Sequence, residues 1–411
     1  MPHGKYPVID IGNCAGNYQR VYCSDYFSSM EIIPLEIKKE CLLDPAPRSI
    51  TLTDELIFLV GTEGIGFSQS CHLYVFNRSG KFITQIGNIG NGPGEYSAYG
   101  VSDIFLNLDK STIFVTDNNK IFEYEFNGKF IRSFPVPSLE NRTLSYISFV
   151  NDNLFIGSFS YRYNNGHKYC LFDRNGDIVK LFPAYYFIDE KPGVRNSRGS
   201  TFKPFRIDNT LYLKDYENDT LYTLAGMNIE PTYVFDFGKY SYPVGKANND
   251  GQIELISVDG GYKRYMLMGQ DIIVGTPKYL FYNIQVPEVL PRPKSRPDYF
   301  HGLGREIPNE SSVRGIYDIK KNTAILLDTD VFQQKGIIND INGGLSFFPK
   351  CYVGNGVVAD IWNAENMKEI LTEEYFSTLK IKDKQAHQKL RELLKILKEE
   401  DNPVVVIAKL K

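Results

Sequence analysis

Three of the five histidines in this chain have a spacing that could support metal chemistry. His72 and His167 lie eight and nine residues before Gly80 and Gly176, and His301 lies in a proline-rich stretch further along. Three imidazoles can hold a zinc ion and leave its fourth position open for an activated water. Whether these side chains can meet depends on the elements that carry them.

Motifs for covalent or acid–base catalysis are absent from the sequence. It contains no Gly-x-Ser-x-Gly elbow and no His-Glu-x-x-His pair. Asp103, Asp117 and Asp360 fall on predicted strands or their ends, where a carboxylate usually serves as a turn partner. The glycine-rich residues 87–94 are followed by neither Lys-Ser nor a predicted helix, so they indicate a turn rather than a phosphate loop.

A repeated strand-turn-strand pattern determines the predicted fold. Its four copies place turn glycines at positions 80, 128, 176 and 226, a spacing of 48 to 50 residues. An aromatic residue precedes each glycine by four positions: Phe76, Tyr124, Phe172 and Tyr222. Glycine supplies the positive φ of such turns, and an earlier strand pair in each unit makes four strands per repeat. Four-stranded sheets at this period are propeller blades.

The pattern continues into the second half of the chain and predicts an all-β, six-bladed β-propeller. The predicted blades span approximately residues 49–88, 100–136, 144–183, 201–238, 255–328 and 341–411. In the last blade we expect inner strands at residues 345–352 and 357–361. Residues 31–35 form a further strand, and pairing it with residues 404–410 would close the ring as an N-/C-terminal clasp. Residues 1–29 are then an N-terminal extension to one propeller domain, residues 30–411.

Composition narrows the possible partners. The net charge is −3 and the pI near 6.1, so nucleic acid is not an expected partner despite the basic run Arg292, Lys294, Arg296 and Arg305. No apolar stretch is long enough for a transmembrane helix. The six cysteines form no Cys-x-x-Cys pair. Cys14 and Cys23 could form a local disulfide in an oxidising compartment, and six buried thiols are the alternative.

Residues 276–312 form an insertion in the fifth blade and are the best candidate for a recognition loop. Prolines at positions 287, 291, 293, 297 and 308 are expected to prevent regular structure there, and Tyr299, His301 and Arg305 supply groups suited to binding. Propeller topology places this loop on the same rim as His72 and His167. We therefore expect ligand contacts on that rim. The loops begin too far from the propeller axis for three imidazoles to reach one zinc ion without folding inward, so exposed loop histidines are the expected arrangement. A surface excursion without function is the alternative.

Two helices are predicted near the C-terminus, at residues 366–371 and 383–400. The second has an apolar stripe at Ala386, Leu390, Leu393, Leu394 and Leu397, opposite a charged face. Such a stripe usually packs on its own domain. The helices are therefore expected to be a short insertion in the sixth blade, with a partner-binding helix as the alternative.

Several stretches resemble the bacterial six-bladed propellers related to NHL repeats. They are residues 32–36, 80–83, 87–96, 339–344 and 402–404. Many members of that family are exported lipoproteins or cell-envelope proteins of unknown activity, so the resemblance implies a periplasmic or envelope location. The family usually begins with a signal sequence, whereas residues 1–30 lack its apolar core, and export is expected on resemblance alone.

The leading expectation for function is a non-catalytic binding or scaffold propeller. It would recognise a glycan, peptide or protein partner on the loop-bearing rim and need no cofactor. The alternative is an enzyme, because related six-bladed propellers include metal-dependent lactonases and lyases with a metal in the central channel. No histidine falls on a predicted innermost strand, but a carboxylate-rich calcium site would not need one.

Overall fold

The structure is a computed structural model and describes most of the chain. The described residues are 6–43, 47–63, 70–97, 101, 103–117, 119–139, 142–159, 167–183, 186–187, 203–214, 219–240, 253–254, 269–286, 290–300, 305–307 and 311–411.

Six antiparallel sheets follow one another along the chain, each built from strands A to D. The strands of blade 1 are Ser49–Leu52, Leu56–Glu63, Ser70–Asn77 and Phe82–Ile86. Those of blade 2 are Asp103–Asn107, Thr112–Asp117, Lys120–Glu125 and Phe130–Pro135. Those of blade 3 are Arg142–Asn151, Leu154–Phe159, His167–Asp173 and Ile178–Pro183.

The second half of the ring repeats this order. Blade 4 contains Lys203–Ile207, Thr210–Lys214, Thr220–Ala225 and Asn228–Asp236. Blade 5 contains Gly269–Gly275, Tyr279–Gln285, Ser312–Asp318 and Thr323–Leu327. Blade 6 contains Cys351–Gly354, Val357–Trp362, Val404–Leu410 and Phe27–Pro34. The predicted six-bladed β-propeller is confirmed.

The clasp that closes the ring is also confirmed. Phe27–Pro34 pairs antiparallel with Val404–Leu410, so that Met30 lies opposite Ala408 and Ile33 opposite Val405. The closing strand begins four residues earlier than predicted and ends at Pro34 rather than at residue 35. Because its outer strand comes from the N-terminal part of the chain, blade 6 joins both halves of the protein.

The N-terminal residues before the clasp lie along the outside of two blades. Val8–Asp10 pairs in parallel with strand D of blade 4, and Tyr18–Gln19 pairs in parallel with strand D of blade 5. The Cys14 thiol donates to a blade 5 carbonyl, that of Ala324 (3.2 Å), and all six cysteines are free. The structure therefore contains buried or half-buried thiols and no Cys14–Cys23 disulfide.

Two strand predictions in the last blades were wrong. Strand A of blade 6 is Cys351–Gly354, because the apolar residues before it form a buried irregular segment instead of strand 345–352. The insertion in blade 5 is shorter than residues 276–312, since Tyr279–Gln285 is strand B and buries Leu280 and Tyr282 completely. It also contains a regular hairpin, Asp298–Phe300 with Arg305–Ile307, despite its prolines.

Four α-helices accompany the sheets in the part of the chain that the structure describes. The short helix α1 (Cys23–Tyr26) precedes the clasp strand, and three helices lie between strands B and C of blade 6. These are α2 (Ala364–Ile370), α3 (Glu373–Ser377) and α4 (Lys384–Ile396). Leu390 of α4 packs in the cluster that contains Trp362, so this apolar stripe covers its own domain as predicted. None of the helices in the described ranges is long and apolar enough to cross a membrane.

The turn between strands C and D packs on the preceding blade. In blade 1, the carbonyl of Gly80 accepts from the amide of Glu36 (2.8 Å), directly after the clasp strand. A Cβ on Gly80 would lie 2.1 Å from the Pro34 carbonyl oxygen, and one on Gly176 would lie 2.9 Å from Pro135 of blade 2. The seam between blades 6 and 1 therefore has the same contact as the seam between blades 2 and 3.

This contact predicts different costs for the same substitution at two repeat positions. Gly80 and Gly226 both have positive φ, +80° and +57°, but a Cβ on Gly226 would meet no atom within 4 Å. We expect Gly226→Ala to cost only the left-handed strain, about 1 kcal/mol. Gly80→Ala should cost about 1–3 kcal/mol more, because its methyl group would overlap the clasp backbone. Urea unfolding of both variants measures the difference, and equal costs would contradict the seam.

Candidate binding site on the loop-bearing rim

Strand direction alternates within each blade, so two kinds of connection share one end of the propeller. These are the loops between strands B and C and the crossings from one blade to the next. We call this end the loop-bearing rim. It carries the blade 5 insertion (residues 286–311), the crossing from blade 5 to blade 6 (residues 328–350), and helices α2 to α4.

The histidines predicted at this rim lie in different blades. His72 is inside strand C of blade 1, opposite Gly61, and its Nε2 lies 3.4 Å from the Ser70 hydroxyl. His167 is the first residue of strand C in blade 3, and its Nδ1 is buried without a hydrogen-bond partner. Blade 2 separates these two histidines, so the structure does not bring them together.

The other predicted site residues belong to the insertion hairpin. Tyr299 is paired with Glu306, and Arg305 is paired with Phe300. His301 lies outside the described residues, so the three-histidine site stays a prediction. Within the ranges that the structure describes, no group of three or more His, Cys, Asp or Glu side chains could hold a metal ion.

A cleft that the sequence did not reveal lies next to the proline-rich start of the insertion. The empty space in and in front of it is about 230 Å³, open solvent included. We call it the rim cleft, and its lining residues are Pro293, Ser295, Ser312, Val313, Arg314, Leu327, Thr329, Lys335 and Gly336. They come from the proline-rich start of the insertion, the ends of strands C and D of blade 5, and the crossing to blade 6.

The proline-rich wall of the rim cleft is fixed at several points. The Arg296 amide donates to the Gln333 carbonyl (2.9 Å), and the Thr329 hydroxyl donates to the Lys294 carbonyl (2.9 Å). The Arg296 guanidinium forms an ion pair with Glu369 of α2. Proline restricts φ as well, so this irregular wall has few conformations to lose on binding.

A buried carboxylate holds the loop beside the cleft. Asp330 Oδ1 accepts from the amides of Phe332 (2.9 Å) and Gln334 (2.8 Å), and its Oδ2 accepts from the Gln334 side chain (2.6 Å). Burial raises the pKa of Asp330 above its ordinary value, although these hydrogen bonds act in the opposite direction. Gln333 has φ +62°, a conformation that costs free energy and often occurs in binding loops. The loop presents Val331, which is 57% exposed.

The rim cleft is lined by apolar, hydroxyl-bearing and basic side chains. Arg314 Nη1 donates to the Lys335 carbonyl (2.8 Å), and its guanidinium carbon lies 4.8 Å from the centre of the Phe348 ring. The Ser295 hydroxyl is buried without a hydrogen-bond partner. Two lining residues are cationic, and none is a carboxylate, a histidine or a cysteine. This set can bind, but it offers no nucleophile paired with a base.

The central channel is bridged between two non-adjacent blades. The Tyr352 hydroxyl, on strand A of blade 6, donates to Asp208 Oδ1 at the turn between strands A and B of blade 4 (2.9 Å). Burial, together with this hydrogen bond to the carboxylate, raises the pKa of Tyr352 to about 12. The channel is therefore narrowed at the end opposite the loop-bearing rim.

Only part of the rim cleft left a signal in the sequence. The basic run at Arg292, Lys294 and Arg296 marks the proline-rich wall, but none of the three lines the cleft, and Arg296 pairs with Glu369. The two cations that line the cleft, Arg314 and Lys335, are separated in sequence and lie in a strand and a crossing. Nothing in their spacing predicts that they meet.

Two solved structures of Bacteroides proteins resemble the fold of this chain. A "putative exported protein" from Bacteroides fragilis has a solved structure with a TM-score of 0.65 and 18% identity, covering 99% of both chains. A member of the DUF4221 family from Bacteroides vulgatus gives a TM-score of 0.52 at 12% identity, covering 94% of this chain and 97% of that one. At these identities the likeness extends to the fold. No curated protein matches the chain.

A family model described as a domain of unknown function, DUF4934, matches residues 6–409. That range includes the clasp strand, all six blades and the helical insertion. The chain therefore belongs to the DUF4934 family.

Proposed function

We propose that this protein is a non-catalytic binding propeller whose loop-bearing rim holds a peptide, glycan or protein partner. The observation that carries the proposal is the rim cleft with its fixed walls. Ligand sites are concave, largely pre-formed and equipped with a few placed polar groups, and the rim cleft has each of these properties.

The size of the cleft sets the kind of contact. The cleft offers about 10 Å³ to the centre of a water-sized sphere, which is roughly the space of one water molecule. It therefore suits at most one small functional group of a larger partner. The remaining contacts would come from the surrounding rim, including the insertion hairpin with Tyr299, His301 and Arg305.

A cell-envelope location is part of the proposal. Two likenesses support it. One is to the "putative exported protein" from Bacteroides fragilis, and the other is to NHL-like propellers that are exported or lipoproteins. Partners would then be the peptides, glycans and proteins of that compartment.

Two tryptophan substitutions in blade 5 test the proposal. Ser295→Trp should fill the rim cleft, whereas Lys320→Trp adds the same side chain at an exposed turn at the other end of the blade. Both variants and the unaltered protein are applied to a glycan array and a peptide array, after their melting temperatures have been compared. We expect ligands of the unaltered protein to bind Lys320→Trp equally and to lose at least about tenfold in affinity for Ser295→Trp, equivalent to 1.4 kcal/mol.

Three results would contradict the proposal. Equal binding by both variants would place the site away from the cleft. Arrays on which nothing binds would contradict the proposed partner classes. Conversion of an array ligand to a product would contradict the non-catalytic role.

A further inference from the structure

We infer that Tyr146 forms a sugar-binding platform at the mouth of the central channel. This inference rests on the proposed binding function and commits it to a glycan, at a second place on the loop-bearing rim apart from the rim cleft. It follows from the backbone of Tyr146, the exposure of its aromatic ring and the polar residues around the channel mouth.

Tyr146 has a backbone conformation that bulky residues rarely adopt. It lies within strand A of blade 3 and has φ +48°. The other non-glycine residues with positive φ in the described ranges lie in turns or in the crossing to blade 6. Such a conformation costs free energy and persists mainly at binding and catalytic sites. The backbone therefore points to a function for this residue.

A β-bulge produces the conformation of Tyr146. Its neighbours Ser145 and Ile147 are paired with successive residues of strand B, so Tyr146 is the inserted residue and has no partner on that strand. Leu144 and Ile147 both pack in the cluster between blades 2 and 3, whereas the ring of Tyr146 belongs to none of the described clusters. Bulges redirect side chains and are frequent beside functional sites. The bulge therefore withdraws this ring from the core.

The ring of Tyr146 borders the mouth of the channel. Strand A is the innermost strand of the blade, and Leu144 is paired with Phe159 at the rim end of strand B. The solvent beside this part of the strand is that of the channel mouth. The ring is 38% exposed, and no hydrogen bond or ring contact with another described residue engages it. Because the Tyr352–Asp208 hydrogen bond narrows the far end of the channel, a ligand reaches Tyr146 from the rim.

The surroundings of the ring favour a sugar over an apolar side chain. Arg48 directly precedes strand A in blade 1, Asp103 begins it in blade 2, and Lys350 directly precedes it in blade 6. A pyranose combines a C–H face, which the negative face of an aromatic ring attracts, with hydroxyl groups that suit polar neighbours. An apolar side chain of a peptide would need further apolar contacts, but Leu144 and Ile147 are buried between the blades. One exposed aromatic ring among polar residues therefore suits a sugar.

NMR of the full chain with isotopically labelled tyrosine rings tests this inference on the unaltered protein. The signal that disappears in Tyr146→Phe identifies Tyr146. The probes are the methyl glycosides of glucose, galactose, mannose, N-acetylglucosamine and glucuronic acid. We expect a saturable shift of the Tyr146 signal with at least one of them, with a Kd on the order of a millimolar for so small a ligand. Saturation transfer to the bound glycoside should be strongest for the C–H protons of one sugar face.

Three substitutions provide the comparison. Tyr146→Asn removes the aromatic ring but keeps a residue that tolerates positive φ, so it should fold and bind the same glycoside at least about tenfold more weakly. Tyr146→Phe keeps the ring and should bind within about twofold of the unaltered protein. Tyr22 is similarly exposed, at 43%, but it lies directly before α1 and outside the channel. Tyr22→Asn should therefore bind as the unaltered protein does.

Other outcomes overturn the inference in distinct ways. If no glycoside shifts the Tyr146 signal, the platform does not bind sugars, and the array comparison with Ser295→Trp decides the proposed function separately. Equal binding of a glycoside by Tyr146→Asn would place the sugar elsewhere on the propeller. Loss of an array peptide, and of no glycoside, in Tyr146→Asn would replace the sugar by a peptide. If Tyr146→Asn does not fold, the Tyr146 signal of the unaltered protein decides.

Discussion

Removal of residues 1–36 is expected to abolish cooperative unfolding of the propeller. The clasp strand and the residue after it bury Phe27, Met30, Ile33 and Leu35, each at most 7% exposed. Burial of such side chains contributes about 1.5–3 kcal/mol each. Together they account for about 6–12 kcal/mol, which is comparable to the whole stability of a typical domain, about 5–15 kcal/mol.

A shorter truncation separates the clasp from the N-terminal extension. Removal of residues 1–22 deletes both parallel strands, Val8–Asp10 and Tyr18–Gln19, but leaves Phe27–Pro34 in place. This variant should melt at a lower temperature than the full chain and still unfold in one transition. Circular dichroism melting curves of the two truncations would contradict closure by the clasp if they coincided.

Arg174→Met is expected to destabilise the seam between blades 2 and 3 strongly. Arg174 Nη1 lies 2.6 Å from Glu123 Oε2, and its Nε donates to the Asp152 carbonyl. Glu123 is 2% exposed, so the substitution leaves a buried carboxylate with the Thr112 hydroxyl (3.4 Å) and with Arg132, whose side chain is 52% exposed. Removing one partner of a buried ion pair costs about 3–5 kcal/mol, and the remaining pair places this variant near 3 kcal/mol.

An exposed ion pair in blade 2, the blade that carries Glu123, is the matched control. Lys129 Nζ lies 2.8 Å from Glu125 Oε1, with side chains 72% and 37% exposed. Lys129→Met should cost less than about 1 kcal/mol. Urea unfolding of both variants gives the comparison, and equal costs would mean that Arg174 does not join blades 2 and 3.

The effect of Arg174 should depend on pH. Burial alone would raise the pKa of Glu123, but hydrogen bonds and charges from Arg174 and Arg132 hold it below its ordinary value. A pKa lowered by folding contributes stability above the ordinary pKa of glutamate, about 4.3, and this contribution disappears as the pH falls through the folded pKa. The stability gap between the unaltered protein and Arg174→Met should therefore be widest at neutral pH and narrow below about pH 4. A constant gap would contradict the ion pair.

The ring was predictable because its determinants are local and repeated. The turn glycines and the aromatic residues before them recur at a nearly constant period, and each copy specifies the same hairpin. The clasp was predictable for a related reason, since one blade lacked its outer strand and one strand had no blade.

The crossing from blade 5 to blade 6 was not predictable from the same signals. Its apolar run at residues 345–348 suggests a buried strand, but side-chain carboxylates satisfy the backbone here. Asp360 Oδ2 accepts from the Phe348 amide (3.0 Å), and Asp330 accepts from two amides of its loop. These contacts allow a buried irregular segment, which hydrophobic periodicity cannot distinguish from a strand.

The candidate site was also only partly predictable from the sequence. The sequence predicted ligand contacts on this rim and a recognition loop in blade 5 from strand order and proline content, and both stay predictions. The rim cleft depends on Ser295, Arg314 and Lys335 from three separate segments, and their proximity arises only in the folded ring.

A crystal structure of the protein with the tightest-binding array ligand tests the central claim most directly. The account predicts that the ligand occupies the loop-bearing rim and places one group in the cleft against Ser295 and Lys335. A ligand bound in the central channel near Tyr352, or at the end with the turns between strands A and B, would contradict it.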